Sequence, residues 1–167
     1  MFSKFRPRRQ VNGSDTAGVV QRPIRLFPAA ALVSLALDRL LPLPFAVENA
    51  NWVPWAAGGA LILIGLLLFA AGVRNFSRAA TPLPTNQPAR VLVTSGIYRW
   101  TRNPIYLAFF LVYGGIGVAA QSSWVLILTL PLAITIRYGV VAREEAYLER
   151  RFGDAYRDYK ALVRRWI

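Results

Sequence analysis

Long apolar runs alternate with short polar segments along the chain. Four such runs cover about residues 24–41, 52–73, 104–120 and 124–142. The second run carries no charged residue, and the first is just long enough to cross the hydrocarbon core of a bilayer. Apolar runs of this length are typical of transmembrane helices, so the pattern predicts an all-α, polytopic membrane protein with four spans.

The breaks between the runs predict how the helices are joined. Only Gln121-Ser122-Ser123 separate the third run from the fourth, which predicts a tight antiparallel hairpin. Small residues in the third run would let its partner helix approach closely. These residues are Gly114, Gly115 and Gly117. The longer connector, residues 75–101, contains several prolines, which exclude one continuous helix there.

The polar tail after residue 142 continues the fourth helix out of the membrane and then changes direction. Gly153 is a natural helix stop, and Asp154 is expected to cap a last, amphipathic helix. The apolar face of that helix would consist of Tyr156, Tyr159 and Leu162 or Val163, which recur at helical spacing. We expect this helix to lie on the cytosolic face of the membrane and to close over the connector.

Positive charge is concentrated on one side of the predicted spans. The chain holds 20 Lys and Arg against 8 Asp and Glu, and eighteen of the 20 precede residue 26, lie within residues 74–102, or follow residue 142. By the positive-inside rule, both termini and the connector are cytosolic. The sequence thus predicts a flexible basic cytosolic arm, residues 1–23, and a membrane domain, residues 24–167. Anionic lipid headgroups account for the net charge of +12 without a nucleic-acid partner.

Two residue types are absent, and their absence narrows the chemistry. The chain has no cysteine and no histidine. This excludes disulfides, Ser-His-Asp and Cys-His catalysis, and the zinc sites built from these residues, so no metal site is expected. Any chemistry must use carboxylates, arginine, tyrosine, asparagine, backbone groups or a bound cofactor.

A polar, arginine-bearing segment, residues 94–106, interrupts the apolar pattern before the third run. Its Asn103-Pro104 pair is typical of the N-cap and first residue of a helix. The positive end of that helix, with Arg99 and Arg102 beside it, would suit an anionic or carboxylate-bearing ligand. The simpler interpretation is a helix cap flanked by two arginines that bind lipid phosphates.

Arg137 is placed inside the fourth run, about 7.5 Å from its end at a helical rise of 1.5 Å per residue. It precedes Glu144 by seven residues, which puts both side chains on nearly the same face of a regular helix. Arg137 could therefore pair with Glu144 or with a ligand carboxylate, or it could extend to the lipid headgroups. Glu144 and Glu145 could equally be a solvated helical turn.

Two linked motifs carry a resemblance to a known family. The motifs are Val91-Leu92-Val93-Thr94-Ser95-Gly96-x-Tyr98-Arg99-x-x-Arg102-Asn103-Pro104-x-Tyr106 and Glu144-Glu145-x-x-Leu148-x-x-x-Phe152-Gly153-x-x-Tyr156-x-x-Tyr159. With these motifs, the sequence resembles the isoprenylcysteine carboxyl methyltransferases, whose wider superfamily includes phospholipid N-methyltransferases.

The resemblance implies a membrane enzyme that binds S-adenosylmethionine in a cytosolic pocket and takes a lipid-like acceptor from the bilayer. Arg102 and the third helix would hold the carboxylate of the cofactor, and the two glutamates its ammonium or ribose hydroxyls. Arg137 would lie nearer the acceptor, with Glu145 as a possible base. The implied cofactor-binding residues are Val93, Gly96, Tyr98, Arg102, Asn103, Pro104, Tyr106, Glu144 and Glu145, and the implied catalytic residues are Arg137 and Glu145.

The sequence departs from the family pattern at one position, and alternative functions remain open. Many relatives have histidine where this chain has Asn103, which can cap and donate hydrogen bonds but cannot titrate. A small four-helix transport or binding protein is the main alternative, although none of the predicted spans carries an acidic residue near its centre. A reductase is a further alternative. The acceptor could be a carboxylate, an amine or a thiol, and the oligomeric state is open.

Overall fold

The computed structural model describes residues 23–45, 52–81 and 88–167. The regular elements in these ranges are helices, and no strand occurs among them. The predicted basic arm lies outside the described residues, apart from its last residue. A 3₁₀ turn, Gly96–Arg99, precedes the third helix, and a π-helical segment, Thr135–Val141, joins the fourth to the fifth. The α-helices are α1 (Pro23–Leu40), α2 (Val53–Arg78), α3 (Pro104–Ala119), α4 (Ser123–Ile134), α5 (Ala142–Phe152) and α6 (Asp154–Leu162).

Within the described ranges, two helices are long and apolar enough to cross a membrane. One is α2, which continues five residues beyond the end predicted at residue 73, and the other is the uninterrupted helix Ser123–Phe152 formed by α4, the π-helical segment and α5. Helix α3 is apolar but shorter, with 16 residues. The all-α class is thus confirmed for the described residues, while the four-span arrangement stays a prediction.

The closest helix packing joins α2 to α3, through glycines spaced seven apart on α2. A Cβ atom at Gly58 would lie 2.5 Å from the carbonyl oxygen of Gly115, and one at Gly65 would lie 2.9 Å from that of Ala108. The sequence predicted that the glycines of α3 serve the following helix. That is wrong for Gly115, which packs on α2, whereas Gly117 does face Val125 of α4.

Helix α1 packs against α3 and α4 through aromatic and polar contacts. The ring of Phe27 meets those of Phe109 and Phe110, with centroids 5.2 and 4.9 Å apart. At the far end of the bundle, Trp124 Nε1 donates to the carbonyl of Leu41 at 2.8 Å. The end of α1 and the start of α4 therefore meet at the end of the bundle opposite the start of α3 and the tail after residue 142.

The tail folds back as two short helices separated by Gly153. This glycine adopts a φ of +57°, which ends α5 as the sequence predicted. Asp154 does not cap α6; it is the first residue of that helix and pairs with Arg157, because Gly153 occupies the capping position. Tyr156 and Tyr159 are buried as predicted. Of the two alternatives for the next apolar position, Leu162 is 86% exposed, whereas Val163 is half-buried.

Candidate active site

The site is built around the start of α3. Asn103 and Pro104 occupy the N-cap and first helical positions, as predicted, and both are buried. The Asn103 side chain makes no capping hydrogen bond, however. Its Nδ2 instead donates to the carbonyl oxygen of Arg165 at 3.0 Å. This contact holds the C-terminal segment, residues 163–167, against the start of α3.

Glu145 lies between two arginines that approach from different parts of the chain. Arg102 Nη2 is 3.1 Å from Glu145 Oε1. Arg165 forms a two-pronged pair with the same carboxylate, with Nε 2.9 Å from Oε1 and Nη2 2.6 Å from Oε2. The side chains of Arg102 and Glu145 are each only 8% exposed, so this is a buried charge cluster and not a solvated helical turn.

Arg102 has unused hydrogen-bonding capacity inside this cluster. Its Nε and Nη1 atoms are buried and have no hydrogen-bond partner. Buried donors of this kind are rare in folded proteins, because each one loses its bond to water without replacement. The guanidinium can therefore donate a hydrogen bond to an anionic ligand group without breaking its contact with Glu145.

Glu144, the residue of α5 that precedes Glu145, is bound by Tyr106. The Tyr106 hydroxyl donates to Glu144 Oε1 at 2.8 Å. Glu144 lies just beyond the apolar part of its helix, which ends at residue 142. Burial raises the pKa of this carboxyl to about 7, and the hydrogen bond from Tyr106 lowers it only in part. The chain thus holds a carboxyl that can exchange a proton near neutral pH.

Three further buried tyrosines, Tyr98, Tyr156 and Tyr159, belong to the same region. The Tyr159 hydroxyl donates to the carbonyl of Tyr98 at 2.7 Å, which ties α6 to the 3₁₀ turn. Burial raises the pKa of Tyr159 to about 12. The pKa of Tyr156 is also raised, first by burial and then by the charge of Glu145. These hydroxyls therefore remain protonated and can act as hydrogen-bond donors.

The C-terminal segment was missing from the sequence-based site. The carbonyl of Arg164 accepts from the backbone N–H of Arg102 at 3.0 Å, and that of Arg165 accepts from Thr101 Oγ1 at 3.2 Å. The Trp166 ring packs edge-on against Phe110. Sequence reasoning counted these arginines only as charge, because no local pattern links them to residues 101–103.

Gly96 and Val93 support the turn before α3. Gly96 has a φ of +60°, and a Cβ atom there would overlap the side chain of Asn75. Asn75 Nδ2 donates to the carbonyl of Ser95 at 3.0 Å, and Val93 is buried. Gly96 therefore packs against Asn75 of α2. The amide of Asn75 at the polar end of an apolar helix was the signal that could have revealed this anchor.

Arg137 is not brought to Glu144. Its guanidinium lies 5.3 Å from the centroid of the Tyr138 ring, while Glu144 is bound by Tyr106. The predicted pairing assumed a regular α-helix, in which residues seven apart share a face. The π-helical segment has more residues per turn and therefore changes that register.

Comparisons with known proteins agree on one family. A sequence model described as phospholipid methyltransferase matches residues 53–155, more than half of the chain. The chain is 30% identical to protein-S-isoprenylcysteine O-methyltransferase of Rattus norvegicus over 139 residues, which cover 71% of the chain and 45% of the rat protein. It is 67% identical to an uncharacterised protein of Haemophilus influenzae over 27 residues, or 16% of the chain and 43% of that protein.

The chain spans less than half the length of these curated relatives. No solved structure matches it. The family match runs from the start of α2 into α6 and includes Arg102, Glu144 and Glu145. The resemblance found in the sequence motifs is thereby confirmed: the chain belongs to the phospholipid methyltransferase family.

Proposed function

We propose that this protein is a membrane methyltransferase that uses S-adenosylmethionine and a lipid-like acceptor. The observation that carries the proposal is the buried Arg102 guanidinium, which is held by Glu145 and retains two donors without a partner. The family and the name of the rat relative both support methyl transfer to a molecule with an apolar chain.

The residues present fit the amino-acid end of this cofactor. Nε and Nη1 of Arg102 lie on different edges of the guanidinium, so either atom can donate a charge-assisted hydrogen bond to a carboxylate oxygen. The N-terminus of α3 adds positive potential at the same place. Glu144 is the better partner for the ammonium or a ribose hydroxyl, because Glu145 is already occupied by two arginines. Tyr98 and Tyr106 would line the pocket.

When bound, S-adenosylmethionine supplies a methyl group on a sulfonium, which an acceptor nucleophile takes by in-line displacement as the sulfur–methyl bond breaks. The contribution of the protein is therefore orientation and exclusion of water. Arg102 would fix one end of the cofactor, and the buried tyrosines would shield the site. An amine or thiol acceptor must lose a proton to react, whereas a carboxylate acceptor needs no base.

We infer a topology of four spans, with both termini and the site on the cytosolic side. The concentration of positive charge on that side supports this arrangement, as does the meeting of α1 and α4 at the loops 42–51 and 121–123, which contain no Lys or Arg. The chain lacks native cysteine, so introduced cysteines can test it without background. Trp52→Cys should react with an impermeant thiol reagent in intact cells and Ser95→Cys should not; the reverse pattern would overturn the orientation.

The decisive test of function is ligand binding by the purified protein in detergent. Titration calorimetry should detect S-adenosylmethionine and its demethylated product, S-adenosylhomocysteine, but not NADPH. Replacing Arg102 by alanine should weaken binding of both by about 1.5 to 3 kcal/mol, the range for a lost hydrogen bond to a charged group. Arg99→Ala is the matched control, because Arg99 is exposed in the same motif. Wild-type protein that binds neither compound would refute the proposal.

A further inference from the structure

The carboxylate of Glu145 is shared unequally by its two arginines. Arg165 contacts both oxygens, whereas Arg102 contacts Oε1 through a single nitrogen. Hydrogen bonding to Glu145 raises the pKa of Arg165, consistent with this two-pronged contact. Arg102 is therefore left with its Nε and Nη1 donors unused, although it is the more deeply buried of the two cations.

The charge balance of the cluster depends on Arg165. Two guanidinium cations against one carboxylate leave one net positive charge in a buried place, which favours an incoming anion. Without Arg165, one cation and one anion remain and cancel. Glu145 would also be free to draw Arg102 into a two-pronged pair, which would occupy one of the donors that are now unused.

We propose that Arg165 is a positioning residue for Arg102. Because Arg165 binds both oxygens of Glu145, the positive charge of Arg102 is not neutralised by that carboxylate, and its unused donors stay available to the carboxylate of the ligand. This inference rests on the proposed function, because it takes that carboxylate to be the one of S-adenosylmethionine. Arg165 lies outside the segment matched by the family model, and the comparisons assign it no role.

The C-terminal segment is anchored independently of the Arg165 side chain. The carbonyls of Arg164 and Arg165 accept three hydrogen bonds from residues 101–103, and Trp166 packs on Phe110. A change at the Arg165 side chain should therefore leave the segment in place. A positioning effect can then be separated from loss of the segment.

The test compares two probes that differ in the carboxylate, using the full-length protein in detergent. S-adenosylhomocysteine carries the amino-acid group, and 5′-methylthioadenosine lacks it. Arg165→Ala should weaken binding of S-adenosylhomocysteine about tenfold, or 1.4 kcal/mol. It should change binding of 5′-methylthioadenosine by less than about twofold. Arg165→Lys should restore part of the loss, and Arg150→Ala, an exposed arginine of α5, should have no effect.

A double variant sharpens the test. If Arg165 acts through Arg102, the Arg102→Ala/Arg165→Ala protein should bind S-adenosylhomocysteine no more weakly than Arg102→Ala alone. Additive losses, or equal losses for both probes, would reduce Arg165 to a structural role and overturn the inference. If Arg165→Ala does not fold, Arg165→Gln is judged by the same two probes.

The proposed function and this inference fail in distinguishable ways. If wild-type protein binds neither probe, the proposed function fails and the inference falls with it. If Arg102→Ala loses S-adenosylhomocysteine while Arg165→Ala retains wild-type affinity, only the inference is overturned.

Discussion

Two regions of the molecule are stabilised in different ways. One is the interface between α2 and α3, called the seam, and the other is the charge cluster around Glu145, called the corner. At the seam, Gly58 and Gly65 let two apolar helices meet backbone to backbone. At the corner, one carboxylate joins Arg102 to Arg165 across three separate segments. The seam depends on the absence of side-chain atoms, whereas the corner depends on the exact balance of three charges.

This difference determines what each region tolerates. A helix interface with close backbone packing is destabilised by any added side-chain atom, but it does not depend on charged residues. In a buried charge cluster, a neutral replacement is most costly where it leaves charged partners unpaired, as loss of the single anion Glu145 would do. Changes at the two regions should therefore differ in size and in kind.

The largest effect is expected at Glu145. Glu145→Gln would leave two guanidinium groups without their anion, and breaking a buried pair typically costs about 3–5 kcal/mol of unfolding free energy. Glu149→Gln is the control, because its pair with Lys160 is partly exposed and such pairs contribute about 0–1 kcal/mol. Unfolding midpoints in detergent measure both; equal losses would show that the corner does not stabilise the fold.

The next effect is expected at the seam. The Cβ atom of Gly58→Ala would meet the backbone of Gly115 and Ala119 at 2.5 and 2.6 Å, so the helices must separate. Overpacking of this kind costs about 1–3 kcal/mol. The neighbouring Gly59→Ala has nothing within 4 Å of its Cβ and should be neutral or slightly stabilising. Similar unfolding temperatures for the two variants would contradict this packing.

A smaller, pH-dependent effect is expected at Glu144. Its folded pKa of about 7 lies above the ordinary value of 4.5, so the folded protein keeps a proton that the unfolded chain has lost. The associated stability is present below about pH 4.5 and is lost as pH rises through 7. The unfolding temperature should fall over that range in the wild type, and less in Glu144→Gln.

Tyr106→Phe provides the comparison for this pH dependence. Removing the hydroxyl deletes the hydrogen bond that lowers the pKa of Glu144, so the midpoint of the fall should move to higher pH. An unchanged midpoint would show that Tyr106 does not bind the ionised carboxyl.

The seam and the corner also differed in how well the sequence predicted them. Apolar runs, Asn103-Pro104 and Gly153 act locally, so the bounds of α3 and the end of α5 were predicted closely. The partner of Gly115 and the contact between Glu145 and Arg165 are long-range, and no local pattern encodes them. The motifs did identify Arg102 and the two glutamates, but their division into an arginine-bound Glu145 and a tyrosine-bound Glu144 required the structure.

The helix Ser123–Phe152 gives the protein a mechanical property that neither region has alone. Its apolar part, which ends at residue 142, spans about 30 Å at 1.5 Å per residue, close to the thickness of a typical hydrocarbon core. A thinner or thicker bilayer should therefore tilt or shift this helix, and Glu144 and Glu145 move with it because they lie in the same helix just beyond its apolar part. The proposed methyl transfer should accordingly depend on acyl-chain length in vesicles, with an optimum at one thickness, so the lipid environment would tune the site as well as hold the protein.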